Sequence, residues 1–201
     1  LNLSTYPWNE DRMEPDIDGA CALIRELEPK VALIGQSVFL FPTPLKEIAD
    51  AAHEVGAKGM YDGAHVLGLI AGGMFQDPLR EGADVMTGSS HKTFPGPQGG
   101  FLLSSSEDLA FQKRLNNAIF PGVCSSYHLH HVAGKVIALA EFEEYGAAYA
   151  KDIVTNAKHF ASRARHVAFS IEHCYRYLQI CAIRSAAEEK DAVSGRSGYH
   201  E

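Results

Sequence analysis

The sequence predicts an α/β fold built on a mostly parallel sheet with flanking helices. Three observations carry that expectation. Short apolar runs of strand length recur at 31–34, 58–62 and 83–87. Segments with helical spacing alternate with them, and the connections exceed the dozen or so residues that a parallel crossover needs. Gly and Pro punctuate the boundaries between segments.

Taken in order, residues 16–28 put Ile17, Ala20, Cys21, Ile24 and Leu27 on one helical face, and Pro29 closes the segment. Val31-Ala32-Leu33-Ile34 reads as a buried strand. Beyond Gly35-Gln36-Ser37 an apolar stretch runs to Pro42 and Pro44, and Leu45, Ile48, Ala49 and Ala52 form a helical stripe that ends at Gly56. Lys58-Gly59-Met60-Tyr61-Asp62 is the second strand. A Gly/Ala-rich connection leads to the third, Ala83-Asp84-Val85-Met86-Thr87, which ends in Gly88-Ser89-Ser90-His91-Lys92. The Pro/Gly-rich stretch 95–100 reads as a tight loop before a fourth strand, Phe101-Leu102-Leu103. A short helix is expected over 107–117, then two longer ones over 132–145 and 149–165 joined at Gly146. Ser170-Ile171-Glu172 and Leu178-Gln179-Ile180-Cys181-Ala182-Ile183 read as two further strands. From Glu188 the text is polar and aperiodic, so the tail is expected to be disordered.

Composition narrows the functional classes. With 201 residues, 46% hydrophobic and 21% charged, the chain is of globular type, which excludes collagen and coiled coil. Eighteen basic against twenty-five acidic residues give a net charge of −7, so neither nucleic acid nor an anionic membrane is an expected partner. The apolar runs fall far short of the roughly 20 residues that span a bilayer. Cys21, Cys124, Cys174 and Cys181 are scattered without a Cys-x-x-Cys pair, which fits a reducing cytoplasm. The start, Leu1-Asn2-Leu3-Ser4, lacks a signal-peptide pattern and reads as a cut into a longer chain.

In parallel α/β sheets ligands gather at the carboxyl ends of the strands. The residues there are Ser37, then Asp62 and His65, then Ser89, Ser90, His91 and Lys92. Singly, Asp62 reads as a helix cap, His65 as an interior imidazole and Lys92 as a loop residue. Together they fit pyridoxal phosphate chemistry, in which a lysine amine forms a Schiff base and a carboxylate keeps the pyridine nitrogen protonated. Asp62 and Lys92 end successive strands, so they can approach opposite ends of one flat cofactor. No metal site is expected, because Tyr127-His128-Leu129-His130-His131 has no carboxylate or cysteine to complete a close ligand set.

Two long motifs then carry a family resemblance. Tyr61-Asp62-Gly63-Ala64-His65-Val66-Leu67-Gly68-Leu69-Ile70-Ala71 resembles the Asp-x-Ala-His-x-x-Gly-Leu-x-Ala segment of serine hydroxymethyltransferases. Ser89-Ser90-His91-Lys92-Thr93-Phe94-Pro95-Gly96-Pro97-Gln98-Gly99-Gly100 resembles their lysine-bearing motif, and Phe120-Pro121-Gly122 through Ala133-Gly134-Lys135 is similar to a third segment. The flavour is that of the archaeal-type branch. The resemblance implies the central part of the large domain of a fold-type I pyridoxal phosphate transferase. It also implies the start of a small C-terminal domain. The corresponding partition is 1–145 as a partial large domain and 146–165 as a connecting helix. Residues 166–201 would be a truncated or divergent small-domain segment.

By the same resemblance, Lys92 carries the Schiff base, Asp62 pairs with the pyridine nitrogen, and His65 and Ser37 lie near the phenolic oxygen. Ser89 stands near the substrate amine, His91 adjoins the lysine, and Ser126 reaches the cofactor phosphate across a homodimer interface. The implied substrates are serine and glycine, with a reduced pterin of tetrahydrofolate or tetrahydromethanopterin type as one-carbon carrier. Gln98 stands where an arginine is common, and Ser125 and Ser126 where the family has a Gly-Gly pair. The family's phosphate loop and ring-stacking histidine are not recognisable, and neither Arg176 nor Arg184 is assignable as the substrate-carboxylate arginine. A threonine aldolase or transaldolase and a non-catalytic fragment are the competing expectations. A nucleotide-binding module fails, since Gly35-Gln36-Ser37-Val38-Phe39-Leu40 is not a Gly-x-Gly-x-x-Gly loop.

Overall fold

The structure, a computed structural model, describes residues 2–37, 39 and 41–166. The strands read at 170–172 and 178–183, Arg176, Arg184 and the expected disordered tail lie outside the described residues.

A short antiparallel ribbon, β1 (Trp8–Asn9) and β2 (Glu14–Pro15), precedes α1 (Ile17–Leu27). The ribbon is too short to leave a periodic signal in the sequence. Glu28 closes α1 in the left-handed region at φ 43°, returning its N–H to Ile24 O, and Pro29 prevents continuation. The units β3 (Val31–Gly35), α2 (Leu45–Glu54), β4 (Lys58–Asp62), α3 (Leu67–Ala71) and β5 (Val85–His91) follow. They build two parallel crossovers, and β6 (Pro95–Leu103) returns antiparallel to β5. The sheet order is β3-β4-β5-β6, so the expected mostly parallel sheet is present. Then come α4 (Leu109–Asn117), a kinked turn over Ala118–Val123, and α5 (Leu129–His166).

Small residues let the layers approach. Leu45, Ile48, Ala49 and Ala52 on α2 are buried with Ala32, Ile34 and Tyr61 of the sheet, as the helical stripe implied. Gly88 of β5 lies directly beneath Leu67, where a Cβ would come within 2.7 Å of the leucine side chain. Phe94 meets Phe101 edge to face at 5.4 Å and Phe142 in a tilted contact at 5.0 Å, which seats α5 on β6. Tyr61, fully buried, donates its hydroxyl to Gln76 Oε1 at 3.1 Å, and the same Gln76 amide brackets Thr43 through both its N–H and its carbonyl. Burial first, then the nearby Glu81 and Asp62 carboxylates, push the Tyr61 phenol upward, so it stays a neutral donor.

Four expectations are corrected. The stretch 95–100 belongs to strand β6, and the connection that precedes it is only Lys92-Thr93-Phe94. Its prolines are tolerated because β6 is an edge strand of this sheet. The third strand continues through His91. The two helices expected to meet at Gly146 are one continuous α5; Gly146 is buried in it, with its carbonyl close to Gly72. Finally, β3 is not buried throughout: Val31 and Leu33 are 50% and 54% exposed while Ala32 and Ile34 are covered. The helices therefore cover only one face of that strand.

At the opposite end of the sheet from the strand carboxyl termini, Asp84 ties three elements together. Its carboxylate accepts from Lys58 Nζ at 2.6 Å, Gly59 N at 2.8 Å and His53 Nε2 at 2.9 Å. Burial raises the carboxyl, but the bonds from Lys58, His53 and Gly59 outweigh it and hold Asp84 below its ordinary range. A depressed carboxyl contributes stability above its unfolded value, about 4, and loses it as pH falls through the folded value. Asp84→Asn is expected to lower stability by about 1 kcal/mol at neutral pH, with the difference from wild type vanishing in acid. Urea unfolding at pH 7 and near pH 3 checks this; an equal difference at both pH values would contradict it.

Candidate functional site

The carboxyl ends of β4 and β5 bring the site together. Asp62 ends β4, paired in register with Gly35 of β3 on one side and Thr87 of β5 on the other. Gly35 has φ 136° and approaches the Asp62 backbone so closely that a Cβ would lie 2.5 Å from Asp62 O. Half-buried Asp62 uses Oδ1 to accept from Ala64 N at 3.0 Å, which bends the chain into the turn before α3. Its Oδ2 has no hydrogen bond among the described residues. The reading of Asp62 as a helix cap is corrected: its Oδ1 shapes the turn, whereas α3 starts after Val66 with no side-chain cap.

The turn carries His65 back over the β5–β6 connection. Lys92 Nζ lies 3.0 Å from His65 Nε2, although the two residues are 27 positions apart. Lys92 is exposed and His65 half-buried, so the amine is open to solvent on one side and held by the imidazole on the other. The next residue, Thr93, donates its hydroxyl to His65 O at 2.7 Å and accepts from Gly68 N at 3.1 Å. Gly68 is obligatory here, since a Cβ would collide with the Thr93 carbonyl.

Ser89 is half-buried on β5, opposite Gly100 of β6, and its hydroxyl has no partner among the described residues. Ser90 points the other way, fully buried, and donates to Pro97 O at 2.7 Å, so it is structural. The register slips between Ser89 and His91, and exposed His91 ends the strand beside Lys92. Exposed Ser37 follows β3. Ser126 lies on the exposed segment before α5, and no hydrogen bond joins it to the Asp62, His65 and Lys92 group. The structure thus links His65 to Lys92 directly and sets Asp62 and Ser89 on neighbouring strand ends. Among the described residues, no hydrogen bond joins Ser37, His91 or Ser126 to Asp62, Ser89 or Lys92. No group of three or more His, Cys, Asp or Glu among the described residues is arranged to hold a metal.

Sequence reading missed Thr93. Its signal was its place immediately after the lysine, but its partners lie on another segment, so only the fold reveals them.

Comparisons with known proteins concern the chain as a whole. The family model described as serine hydroxymethyltransferase matches residues 2–173. Serine hydroxymethyltransferase of Pyrococcus abyssi is 56% identical over 175 residues, covering 85% of this chain and 40% of that protein. The enzyme of Thermoplasma acidophilum is 55% identical over 166 residues, covering 83% of this chain and 39% of its own length. The chain thus spans about two fifths of the length of these curated relatives. Among solved structures, L-threonine transaldolase from Pseudomonas fluorescens in its internal aldimine state superposes with a TM-score of 0.75 at 30% identity. That match covers 81% of this chain and 37% of the transaldolase.

Proposed function

Because the chain belongs to the serine hydroxymethyltransferase family, we propose that it supplies the lysine-bearing part of a pyridoxal phosphate site. The reaction is interconversion of serine and glycine with transfer of the one-carbon unit to a reduced pterin of the tetrahydrofolate or tetrahydromethanopterin type. The observation that carries this reading is the Lys92–His65 pair set beside Asp62, whose Oδ2 is left over, at the ends of adjacent parallel strands. The Lys92 amine, with the Asp62 Oδ2 and Ser89 hydroxyl that make no hydrogen bond among the described residues, suits the aldehyde, ring nitrogen and substrate amine of that chemistry.

Pyridoxal phosphate, when bound, supplies an aldehyde for the lysine and a ring that takes up the electron pair released when a substrate carbon–carbon bond breaks. The chain's own groups do the rest. Neutral Lys92 is the nucleophile, and His65 Nε2, within hydrogen-bond reach, is placed to hold the proton removed from Nζ. Asp62 Oδ2 stabilises a protonated ring nitrogen by charge and hydrogen bonding. By family motif, Ser37 and His65 attend the phenolic oxygen, Ser89 the substrate amine and His91 the lysine. Ser126 is assigned to the phosphate held by a second copy. Residues 1–145 form the partial large domain in this reading, 146–165 the connecting helix and 166–201 the small-domain segment.

A homodimer and a cytoplasmic location belong to the same reading. Leu129, Val132, Val136 and Leu139 recur at heptad spacing along α5 and are 45–73% exposed, an apolar stripe suited to a second copy. Cys21 and Cys124, the cysteines among the described residues, are free thiols, as a reducing compartment favours.

Adding pyridoxal phosphate to the full chain is expected to produce a new visible absorbance band, absent from Lys92→Ala. The same band in both proteins would overturn the assignment of Lys92. If no band forms with either protein, the non-catalytic fragment is the correct description. Serine cleavage that depends on added pterin distinguishes the hydroxymethyltransferase from an aldolase or transaldolase, which cleaves threonine without it.

A further inference from the structure

We propose that Thr93 is a positioning residue that sets the Lys92 amine against the His65 imidazole. Its hydroxyl is spent twice, once as donor to His65 O at 2.7 Å and once as acceptor from Gly68 N at 3.1 Å. One side chain therefore clamps the backbone of His65 and the first turn of α3 to the residue that follows Lys92. The clamp is tight because Gly68 has no Cβ to hold the Thr93 carbonyl away. Lys92 itself is exposed and flexible by nature, and among the described residues its Nζ contacts His65 Nε2 at 3.0 Å. With both backbones fixed, that contact forms without ordering the intervening chain each time, so the imidazole is always in reach of the Nζ proton. Without the hydroxyl, the β5–β6 connection and the His65 turn separate, and the Lys92–His65 contact is no longer held.

The value of this arrangement to catalysis rests on the cofactor reading above, but the test does not. Competitive acylation of the full chain with an amine-selective reagent, followed by mass spectrometry, gives the reactivity of Lys92 relative to Lys46 across pH. Lys46 is exposed, pairs with Asp50, and shares no hydrogen bond with His65, Gly68 or Thr93 among the described residues. Thr93→Val is expected to change the Lys92-to-Lys46 ratio by about threefold to tenfold and to shift the Lys92 profile, as loss of a hydrogen-bonded clamp predicts. Thr93→Ser is expected to restore both. Should the valine protein fail to fold, Thr93→Cys, of similar size and a weak donor, is read by the same ratio. An unchanged ratio and profile in Thr93→Val, or in Thr93→Cys where the valine protein does not fold, would overturn the proposal and leave Thr93 holding only the first turn of α3. Because no cofactor is present, this result stands apart from whether Lys92 reacts with pyridoxal phosphate.

Discussion

Asp62→Asn is expected to leave the fold intact and to weaken pyridoxal phosphate binding by about tenfold to a hundredfold, the worth of one charge-assisted hydrogen bond. The substitution separates the two tasks of this side chain. Asparagine keeps an oxygen to accept from Ala64 N, so the turn into α3 is preserved. It lacks the negative charge that Oδ2 offers a protonated ring nitrogen. Absorbance titration with pyridoxal phosphate reads the loss, and thermal unfolding of the ligand-free chain should match wild type. Equal affinity in the two proteins would show that Asp62 serves only the turn. Asp62→Ala loses both tasks, so it is expected to lower stability as well as affinity.

Gly68→Val is expected to destabilise the chain by about 2–4 kcal/mol, combining overpacking with loss of the Gly68–Thr93 hydrogen bond. The added carbon meets the Thr93 carbonyl, which is backbone on a short connection and has little room to retreat. Gly59→Ala is the control, since its Cβ would find neighbours only from 3.7 Å, ordinary contact. Urea unfolding midpoints for the two variants decide the matter. Similar losses at the two positions would mean that the α3–Thr93 contact is looser than the structure shows.

The sheet was legible because its signals are local. Strand length, β-branched and apolar runs, and long connections dictated two parallel crossovers, and β4 falls on the residues expected. The errors have physical causes. Proline and glycine at 95–100 signal a loop in an isolated chain, yet they are acceptable on a strand at the edge of the sheet among the described residues. Gly146 signals a break, but it sits buried where α5, at Gly146 and Ala150, packs against Gly72 at the end of α3, so packing offsets its low helix propensity. Val31 and Leu33 look like core residues because hydrophobicity does not say on which face a covering helix lies.

The sequence by itself determined the class of fold, the family and the positions of Asp62, His65, Ser89 and Lys92 at strand ends, since each depends on patterns within a few dozen residues. Tertiary structure alone decided which of those groups meet. That His65 rather than His91 takes the Lys92 amine, and that Thr93 secures the pair, follows from the β4–β5 register and from the close approach at Gly68. Contacts between side chains 25 or more residues apart are set by how elements pack, which no local pattern encodes.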